Sequence, residues 1–263
     1  MSAADELDGP FGKRYVAVGD SFTEGVGDID PSSPNGVRGW ADRVAGQLIA
    51  NDDSWGYANL AVRGKKLRQV LDEQLDAAIA LEPTLVTIYA GGNDILRPAV
   101  NLDGIMERYR WAVEKLVATG ARVVIFTGFD SGKAPMFRLT RGRTAIYNEH
   151  IRKIAADLDL EVVDFWHLKH FQDWRFWDAD RMHLGIEGHM FMAKEVLKVL
   201  GETDELDEPD LDEPPISSLP ERAIAEAVWT KEYLYPWVKR RLTGTSSGDN
   251  LSPKYPRLTS RVW

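Results

Sequence analysis

Short apolar runs alternate along this chain with longer segments in which apolar residues recur every three or four positions. The short runs are rich in β-branched and aromatic residues, which is the pattern of buried strands. The longer segments have the period of helices with one apolar face. The pattern predicts strands at 15–18, 57–62, 85–90, 122–127 and 161–165, and helices at about 40–50, 66–81, 104–119, 144–158 and 185–200.

This alternation indicates the fold class. Strands that alternate with helices at this spacing form right-handed βαβ units, in which the strands are parallel and helices cover both faces of the sheet. We therefore expect an α/β fold: a three-layer α/β/α sandwich with a five-stranded parallel, flavodoxin-like sheet. In such a sheet, functional loops leave the carboxyl ends of the strands.

The net charge of −9 is unevenly distributed. Residues 202–213 hold eight acidic residues and no basic one, whereas 214–263 carries a net charge of +4, which leaves −5 for residues 1–201. This mildly acidic body argues against a nucleic-acid partner, because phosphate binding needs a basic surface. The expected partner is a small-molecule substrate.

The composition divides the chain into four parts. Residues 1–12 are predicted to be a loose leader, 13–201 the main domain, 202–214 an acidic linker and 215–263 a helical and extended appendage. The appendage pattern predicts an amphipathic helix, bent or broken near Pro236, and an extended, irregular end. Its aromatic residues favour packing against the main domain, while the basic residues 239–241 leave membrane-surface or partner contact as the alternative.

No stretch of the sequence approaches the roughly 20 apolar residues of a membrane span, and the chain begins with acidic residues instead of the basic and apolar regions of a signal peptide. We therefore expect a cytoplasmic protein. The absence of cysteine excludes disulfides, thiolate metal sites and a cysteine nucleophile. No group of histidines and carboxylates has convincing metal spacing, so neither a metal nor a cofactor is expected.

Ser21 is a candidate nucleophile. It follows the first predicted strand after Gly19 and Asp20, where the chain must turn off the sheet. Gly64 and Asn93 follow the second and third predicted strands in the same way, and the carboxyl ends of parallel strands meet at one edge of a sheet. A serine after a strand is also a common helix N-cap, so by itself it indicates little.

A serine nucleophile needs a base that accepts its proton and a group that orients the base. Asp180 and His183, in the loop before the last predicted helix, provide both groups three residues apart. In a turn, this spacing can place the carboxylate against one imidazole nitrogen while the other nitrogen faces Ser21. The other histidines are weaker candidates, because two lie within predicted helices and two in an aromatic-rich connection beside Asp164 and Asp173: His150, His189, His167 and His170.

Four sequence blocks, in the same order, resemble those of the SGNH hydrolases, also called GDSL-type esterases and lipases. They are 19–25 (GDSFTEG), 59–64 (NLAVRG), 91–94 (GGND) and 180–184 (DRMHL). Phe22 stands where leucine is common in that family. Because the four blocks together span most of the main domain, their joint occurrence is far more specific than any one of them.

The resemblance implies a role for each block. Ser21 attacks an acyl carbonyl, His183 accepts its proton and later protonates the leaving alkoxide, and Asp180 orients His183. The backbone N–H groups of Ser21 and Gly64 and the side-chain amide of Asn93 form the oxyanion hole. The expected protein is thus a cofactor-free serine esterase or lipase that cleaves small or medium acyl esters, with 13–201 as its SGNH hydrolase domain.

Three neighbouring residues receive interpretations of a different kind. Asp20 and Asp94 flank reactive positions and are interpreted as hydrogen-bond partners that fix the loops. Trp177, three residues before Asp180, belongs to an aromatic run whose ordinary role is packing, but it is also a possible pocket wall.

Two alternative functions stay open. An acyltransferase would use the same triad and pass the acyl group to an alcohol instead of water. A non-catalytic binding module would keep the fold and use the appendage as an interaction arm. The related α/β-hydrolase architecture is excluded, because Thr23 stands where its nucleophile elbow requires glycine.

Overall fold

The computed structural model describes residues 11–134, 137–211, 213, 218–243 and 245–262. Its strands are β1 (Lys13–Gly19), β2 (Trp55–Asn59), β3 (Leu85–Tyr89), β4 (Arg122–Phe126), β5 (Glu161–Val163) and β6 (Tyr255–Thr259). Its helices are α1 (Ser21–Glu24), α2 (Trp40–Asn51), α3 (Leu67–Ala80), α4 (Gly92–Ile95), α5 (Leu102–Val117), α6 (Arg141–Leu158), α7 (Ile186–Leu200), α8 (Leu219–Trp229) and α9 (Tyr235–Thr243). A single π-helical turn, Thr230–Leu234, joins α8 to α9. None of the helices in the described ranges combines the length and apolarity needed to cross a bilayer.

The sheet has the strand order β5-β4-β3-β1-β2-β6. The first five strands are parallel to their neighbours, which confirms the predicted α/β class and the flavodoxin-like order. The predicted number of strands is wrong, because the described residues contain a sixth strand, β6, that pairs antiparallel with β2. The second strand also begins and ends earlier than the predicted 57–62.

The sixth strand covers an edge that the other five would leave open. Without β6, the backbone groups of β2 would face solvent, and such an edge invites pairing with another chain. The prediction of an irregular end missed β6 because Pro256 and Arg257 interrupt its apolar pattern. Proline lacks a backbone N–H and is therefore tolerated only at the edge of a sheet, which is where β6 lies.

Helices cover both faces of the sheet and bury two apolar cores. One core packs α3, α5 and α6 against one face, with Val16 and Val18 of β1 among its residues. The other core packs α2 and α7 against the opposite face, where Tyr15 and Ala17 of the same strand are buried. The alternation along β1 follows from the two-residue period of a strand.

A buried ion pair joins the C-terminal end of the chain to α2. The side chains of Lys254 and Asp42 are both fully buried, and the ammonium group of Lys254 donates to the carboxylate of Asp42 and to the carbonyl of Val37 at 3.2 Å. Asp42 also accepts a hydrogen bond of 2.7 Å from the hydroxyl of Tyr57 in β2. Removing one partner of such a pair leaves the other charge buried and unpaired, so the end of the chain is an integral part of the packing.

The described part of the acidic segment after α7 runs along the main domain. The backbone N–H of Glu205 donates to the side chain of Gln47 in α2 at 2.9 Å, and Lys194 of α7 pairs with Asp204 at 3.1 Å and Glu208 at 2.7 Å. The domain boundaries stay a prediction. Most of the predicted leader, residues 1–10, and residues 214–217 at the predicted junction of linker and appendage lie outside the described residues.

Candidate active site

The topology gathers three of the predicted loops at one edge of the sheet. β1 lies between β3 and β2, and the chain moves from β1 to β2 on one side before β3 adds on the other side. The strand order therefore reverses at β1, and open α/β sheets bind ligands in the crevice outside such a reversal point. Ser21 follows β1 and Asn93 follows β3, so both residues flank this crevice.

Ser21 is the first residue of α1, which begins directly after β1. Asp20 is the N-cap, and its carboxylate accepts a hydrogen bond of 3.2 Å from the backbone N–H of Phe22. A Cβ atom at Gly19 would lie 2.5 Å from Thr23 Oγ1 and 2.6 Å from the carbonyl oxygen of Tyr89. The turn from strand to helix is therefore tight, and it places Ser21 in the first turn of the helix, where backbone N–H groups lack intrahelical acceptors.

A buried ion pair links α1 to the loop after β2. The carboxylate of Glu24, which is 0% exposed, accepts hydrogen bonds of 2.6 Å from the backbone N–H of Arg63 and 2.7 Å from its guanidinium group. This pair fixes the backbone of Arg63 beside Gly64, whose φ of +77° suits glycine. Both charged residues lie within the family-like sequence blocks, but their pairing was not predicted; their opposite charges were the available signal.

Asn93 lies in the short helix α4, next to both other loops. Its amide nitrogen Nδ2 donates to Asp20 Oδ2 at 3.2 Å and to the carbonyl oxygen of Lys65 at 3.1 Å. The neighbouring carboxylate of Asp94 accepts a hydrogen bond of 2.8 Å from the backbone N–H of Leu67 at the start of α3. These contacts tie the loops after β1, β2 and β3 to one another.

Asp180 and His183 form a hydrogen-bonded pair in the loop before α7. Asp180 Oδ2 lies 2.6 Å from His183 Nδ1, while Oδ1 accepts the backbone N–H groups of Met182 at 2.8 Å and His183 at 3.0 Å. One carboxylate therefore fixes both the turn and the imidazole ring. Because Nδ1 faces a carboxylate, the ring proton of the neutral histidine belongs on Nδ1, and Nε2 is left as the acceptor.

The environment shifts the pKa values of this pair in opposite directions. Burial alone lowers the pKa of His183, but the hydrogen bond and negative charge of Asp180 outweigh it and raise that pKa above its usual value of 6.5. Burial alone raises the pKa of Asp180, but hydrogen bonds and charge from His183 outweigh it and lower that pKa. Asp180 therefore stays ionised next to a histidine that readily accepts a proton.

The pKa of Asp20 is raised, in contrast to that of Asp180. This residue is 3% exposed, and its burial raises the pKa of the carboxyl group to about 7, although the Phe22 N–H, His183 and the amide of Asn93 favour the charged form. Near neutral pH this carboxyl group is thus close to its titration midpoint.

A cavity of about 160 Å³ opens between these loops. The wall is largely apolar, with Phe129, Phe165 and other aromatic residues. The polar residues that line it are Ser21, Asn93, His183, Asp20, Ser131, Thr140 and Thr144. Aromatic rings from separate elements meet there, such as Phe129 and Trp177 with centroids 4.6 Å apart. The arrangement can hold an apolar group against a hydroxyl, an amide and an imidazole.

The structure brings most of the predicted site residues together. Ser21, Asn93, His183 and Trp177 line the cavity, and Asp180 lies directly behind His183. Gly64 is not among the described residues that line the cavity. The carbonyl oxygen of the adjacent Lys65, however, accepts a hydrogen bond from the side chain of Asn93. Within the described ranges, no three histidine, aspartate or glutamate side chains group as a metal ion would require.

The fold is the α/β/α sandwich expected of an SGNH hydrolase, and the four sequence blocks lie at strand ends and in the loop before α7. Sequence comparison confirms the predicted resemblance to this family. The model of the GDSL-like Lipase/Acylhydrolase family matches residues 17–191. The chain therefore belongs to this family of esterase- and lipase-type hydrolases. The match ends before the acidic segment, α8, α9 and β6.

Individual relatives agree with this assignment. The GDSL esterase/lipase WDL1 of Oryza sativa subsp. japonica is 24% identical over 187 residues, which cover 63% of this chain and 72% of the relative. Among solved structures, a catalytic mutant of the acetylxylan esterase Axe2 of Geobacillus stearothermophilus has a TM-score of 0.61 at 21% identity, and the match covers 73% of this chain and 95% of that chain. The psychrotrophic esterase EstA of Pseudoalteromonas sp. has a TM-score of 0.56 at 16% identity, covering 72% of this chain and 97% of its own. These structural likenesses show a shared fold.

Proposed function

We propose that this protein is a serine esterase that hydrolyses small or medium acyl esters through an acyl-enzyme on Ser21. The observation that carries the proposal is the shared cavity: Ser21 and His183 line it together, and His183 is held by Asp180 at 2.6 Å. In the related fold of Axe2, the catalytic mutants replace a serine, an aspartate and a histidine. This supports the same three residue types here.

In the first half of the reaction, the Ser21 hydroxyl oxygen attacks the ester carbonyl carbon while His183 Nε2 takes the hydroxyl proton. The resulting imidazolium is stabilised by the Asp180 carboxylate. When the tetrahedral intermediate collapses, the bond to the alcohol oxygen breaks and His183 returns the proton to the leaving alkoxide. A water molecule then repeats these steps on the acyl-enzyme, so that a carboxylic acid and free Ser21 are released.

The negative charge on the tetrahedral intermediate needs hydrogen-bond donors. We assign this role to the backbone N–H groups of Ser21 and Gly64 and to the amide of Asn93, each of which is typically worth about 3 kcal/mol of transition-state stabilisation. Asn93 Nδ2 already donates to Asp20 and to the carbonyl of Lys65. An amide nitrogen has only two hydrogens, so the oxyanion must displace one of these acceptors or share its hydrogen.

The size and the wall of the cavity support a substrate with a short acyl group. Its volume of about 160 Å³ is below the roughly 300 Å³ at which drug-sized ligand pockets begin, and its wall is largely apolar. A short alkyl chain fits such a wall better than a charged or strongly hydrated group, because burial of polar groups without partners is costly.

The test is hydrolysis of p-nitrophenyl acetate by the wild type and by Ser21→Ala. We expect the variant to lose about 10⁴- to 10⁶-fold in kcat, because the nucleophile is removed. Fluorophosphonate labelling provides a second measurement: Ser131 also lines the cavity, so Ser131→Ala must still be labelled while Ser21→Ala must not. Unchanged hydrolysis by a folded Ser21→Ala would refute the catalytic assignment.

A further inference from the structure

The C-terminal segment reaches the cavity from outside the family-matched region. Trp237, in α9, is one of the residues that line the cavity with Ser21 and His183. Its ring meets that of Phe137 at an edge-to-face angle of 77°, with centroids 6.3 Å apart. Phe137 is itself buried and part of the cavity wall, so Trp237 extends an aromatic wall that the main domain begins.

The same segment is attached to the loop that carries His183. Arg181 lies between Asp180 and His183, and its guanidinium group pairs with Glu226 of α8 at 2.7 Å. The guanidinium carbon also lies 4.7 Å from the ring centroid of Trp229, a cation–π geometry. The catalytic loop therefore contacts the end of α8 through a side chain that has no other role in the proposed reaction.

The π-helical turn between α8 and α9 explains how one segment makes both contacts. Trp229 and Trp237 are eight residues apart, which on a regular α-helix turns them by about 80° away from a common face. A π turn accommodates one more residue than an α-helical turn, so the two tryptophans are placed as if seven residues separated them. Seven residues of an α-helix make almost two full turns, which leaves an angle of only about 20° between the two side chains around the helix axis. Trp229 and Trp237 can therefore both face the main domain.

Beyond α9 the chain is held a second time, beside the loop after β2. The Ser246 hydroxyl donates to the carbonyl of Arg63 at 3.3 Å, and a Cβ at Gly64 would lie 2.0 Å from that hydroxyl oxygen. β6 and Lys254 then complete the attachment. The segment that carries Trp237 is thus fastened before α9, to the loop of His183, and after α9, to the loop that follows β2.

We propose that Trp237 closes the acyl pocket of this enzyme and sets the length of acyl chain that it accepts. The proposal rests on the function proposed above. The leaving alcohol must take its proton from His183 and depart, whereas the acyl group stays in the cavity as an ester of Ser21. Trp237 lines the cavity that holds Ser21, so its ring limits the size of the acyl group that stays there. Loss of the indole ring opens the cavity on the side where α9 covers it.

The experiment compares kcat/KM on p-nitrophenyl esters of graded acyl length for the wild type, Trp237→Ala, Trp237→Phe and Tyr235→Ala. Tyr235 is the matched control, because it lies on the same helix and its side chain is 64% exposed. We expect Trp237→Ala to raise the ratio of kcat/KM for the octanoate ester to kcat/KM for the acetate ester by about tenfold or more. In Trp237→Phe this ratio should lie close to the wild-type ratio, because a ring is still present. Tyr235→Ala should keep the wild-type ratio.

An unchanged acyl-length profile in Trp237→Ala would overturn the proposal, as would an equal change in Tyr235→Ala. Acetate esters of graded alcohol size form a second series for the same variants. A change confined to that series would also overturn the proposal, because Trp237 would then bound the leaving-group side. Failure of the proposed function is distinguished by Ser21→Ala: if hydrolysis survives that substitution, the esterase assignment fails whatever the profile of Trp237→Ala. Thermal unfolding of each variant excludes loss of fold as the cause.

Discussion

Two aspartate–histidine pairs in this chain have the same spacing and nearly the same geometry. Asp164 Oδ2 lies 2.8 Å from His167 Nδ1, and Asp180 Oδ2 lies 2.6 Å from His183 Nδ1. The first pair spans a short 3₁₀ helix, Phe165–His167, directly after β5, and the second pair lies in the loop before α7. By local chemistry alone, either histidine could be an oriented base.

The two pairs differ in what surrounds them. The His167 side chain is 68% exposed, and Asp164 also accepts from the Thr127 hydroxyl and pairs with Arg152. The His183 side chain is 27% exposed and lines the cavity that contains Ser21. Asp180 gives one oxygen to the imidazole of His183 and the other to backbone N–H groups of its own turn.

Hydrogen bonding between the two residues is therefore not what makes a catalytic pair. A short loop readily brings residues three apart into contact, and this chain does so twice. What distinguishes Asp180 and His183 is that His183 lines the largely apolar cavity that also holds Ser21, the proposed nucleophile. In apolar surroundings each electrostatic interaction is stronger than it is in water.

The largest expected contrast is between His183→Gln and His167→Gln. Loss of the base at His183 should lower kcat for p-nitrophenyl acetate by roughly 10⁴- to 10⁶-fold, because Ser21 then has no group to take its proton. His167→Gln should leave kcat close to that of the wild type. Steady-state kinetics of both variants checks this, and comparable losses in the two would place catalysis elsewhere.

The next contrast is between Asp180→Asn and Asp164→Asn. The Asp180 variant should lose about 10⁴-fold in kcat, because an amide favours the wrong imidazole tautomer and no longer stabilises the imidazolium. Asp164→Asn keeps an oxygen that can accept from the Thr127 hydroxyl, so its loss should be far smaller. Circular dichroism of both variants serves as the folding control, and a larger loss in Asp164→Asn would reverse the assignment.

The smallest effect concerns pH. Because Asp180 raises the pKa of His183 despite its burial, His183 is protonated and inactive at low pH, and kcat/KM should rise with a midpoint above pH 6.5. In Asp180→Asn the largest contribution that raises the pKa of His183 is gone, while burial and the smaller contributions of Asp20 and Asp178 remain, so the midpoint should move to lower pH. NMR titration of the His183 ring measures both midpoints, and His167→Gln should leave them unchanged. A wild-type midpoint below 6.5 would show that burial outweighs the charge of Asp180, contrary to this expectation.

Local pattern was sufficient for most of the architecture. Helices α3 and α7 and strands β1, β3 and β4 were predicted within a few residues, because each buries a continuous apolar face or run. The limits of β2 were predicted too late, since Leu60 to Val62 are buried and apolar but continue past the ladder as a loop. Burial and strand pairing are different properties, and the sequence pattern reports only burial.

Contacts between distant segments were not predictable in this way. Glu24 and Arg63 are 39 residues apart, and Lys254 lies 212 residues from Asp42. Each of these charges has an ordinary place on a solvated surface, and only the folded chain shows that it is buried and paired. The same holds for Trp237, whose aromatic neighbour in the cavity wall, Phe137, lies far earlier in the chain.

The sequence by itself determined the α/β class, the family resemblance and the residue types of the candidate site, because these depend on periodicity and on short blocks at strand ends. The tertiary structure decided three other features: the sixth strand, the buried pairing of Lys254 with Asp42, and the wall that Trp237 adds to the cavity. The physical reason is common to all three. Each depends on which surfaces meet after the chain has folded, and burial, desolvation and proximity to Ser21 arise only from that meeting.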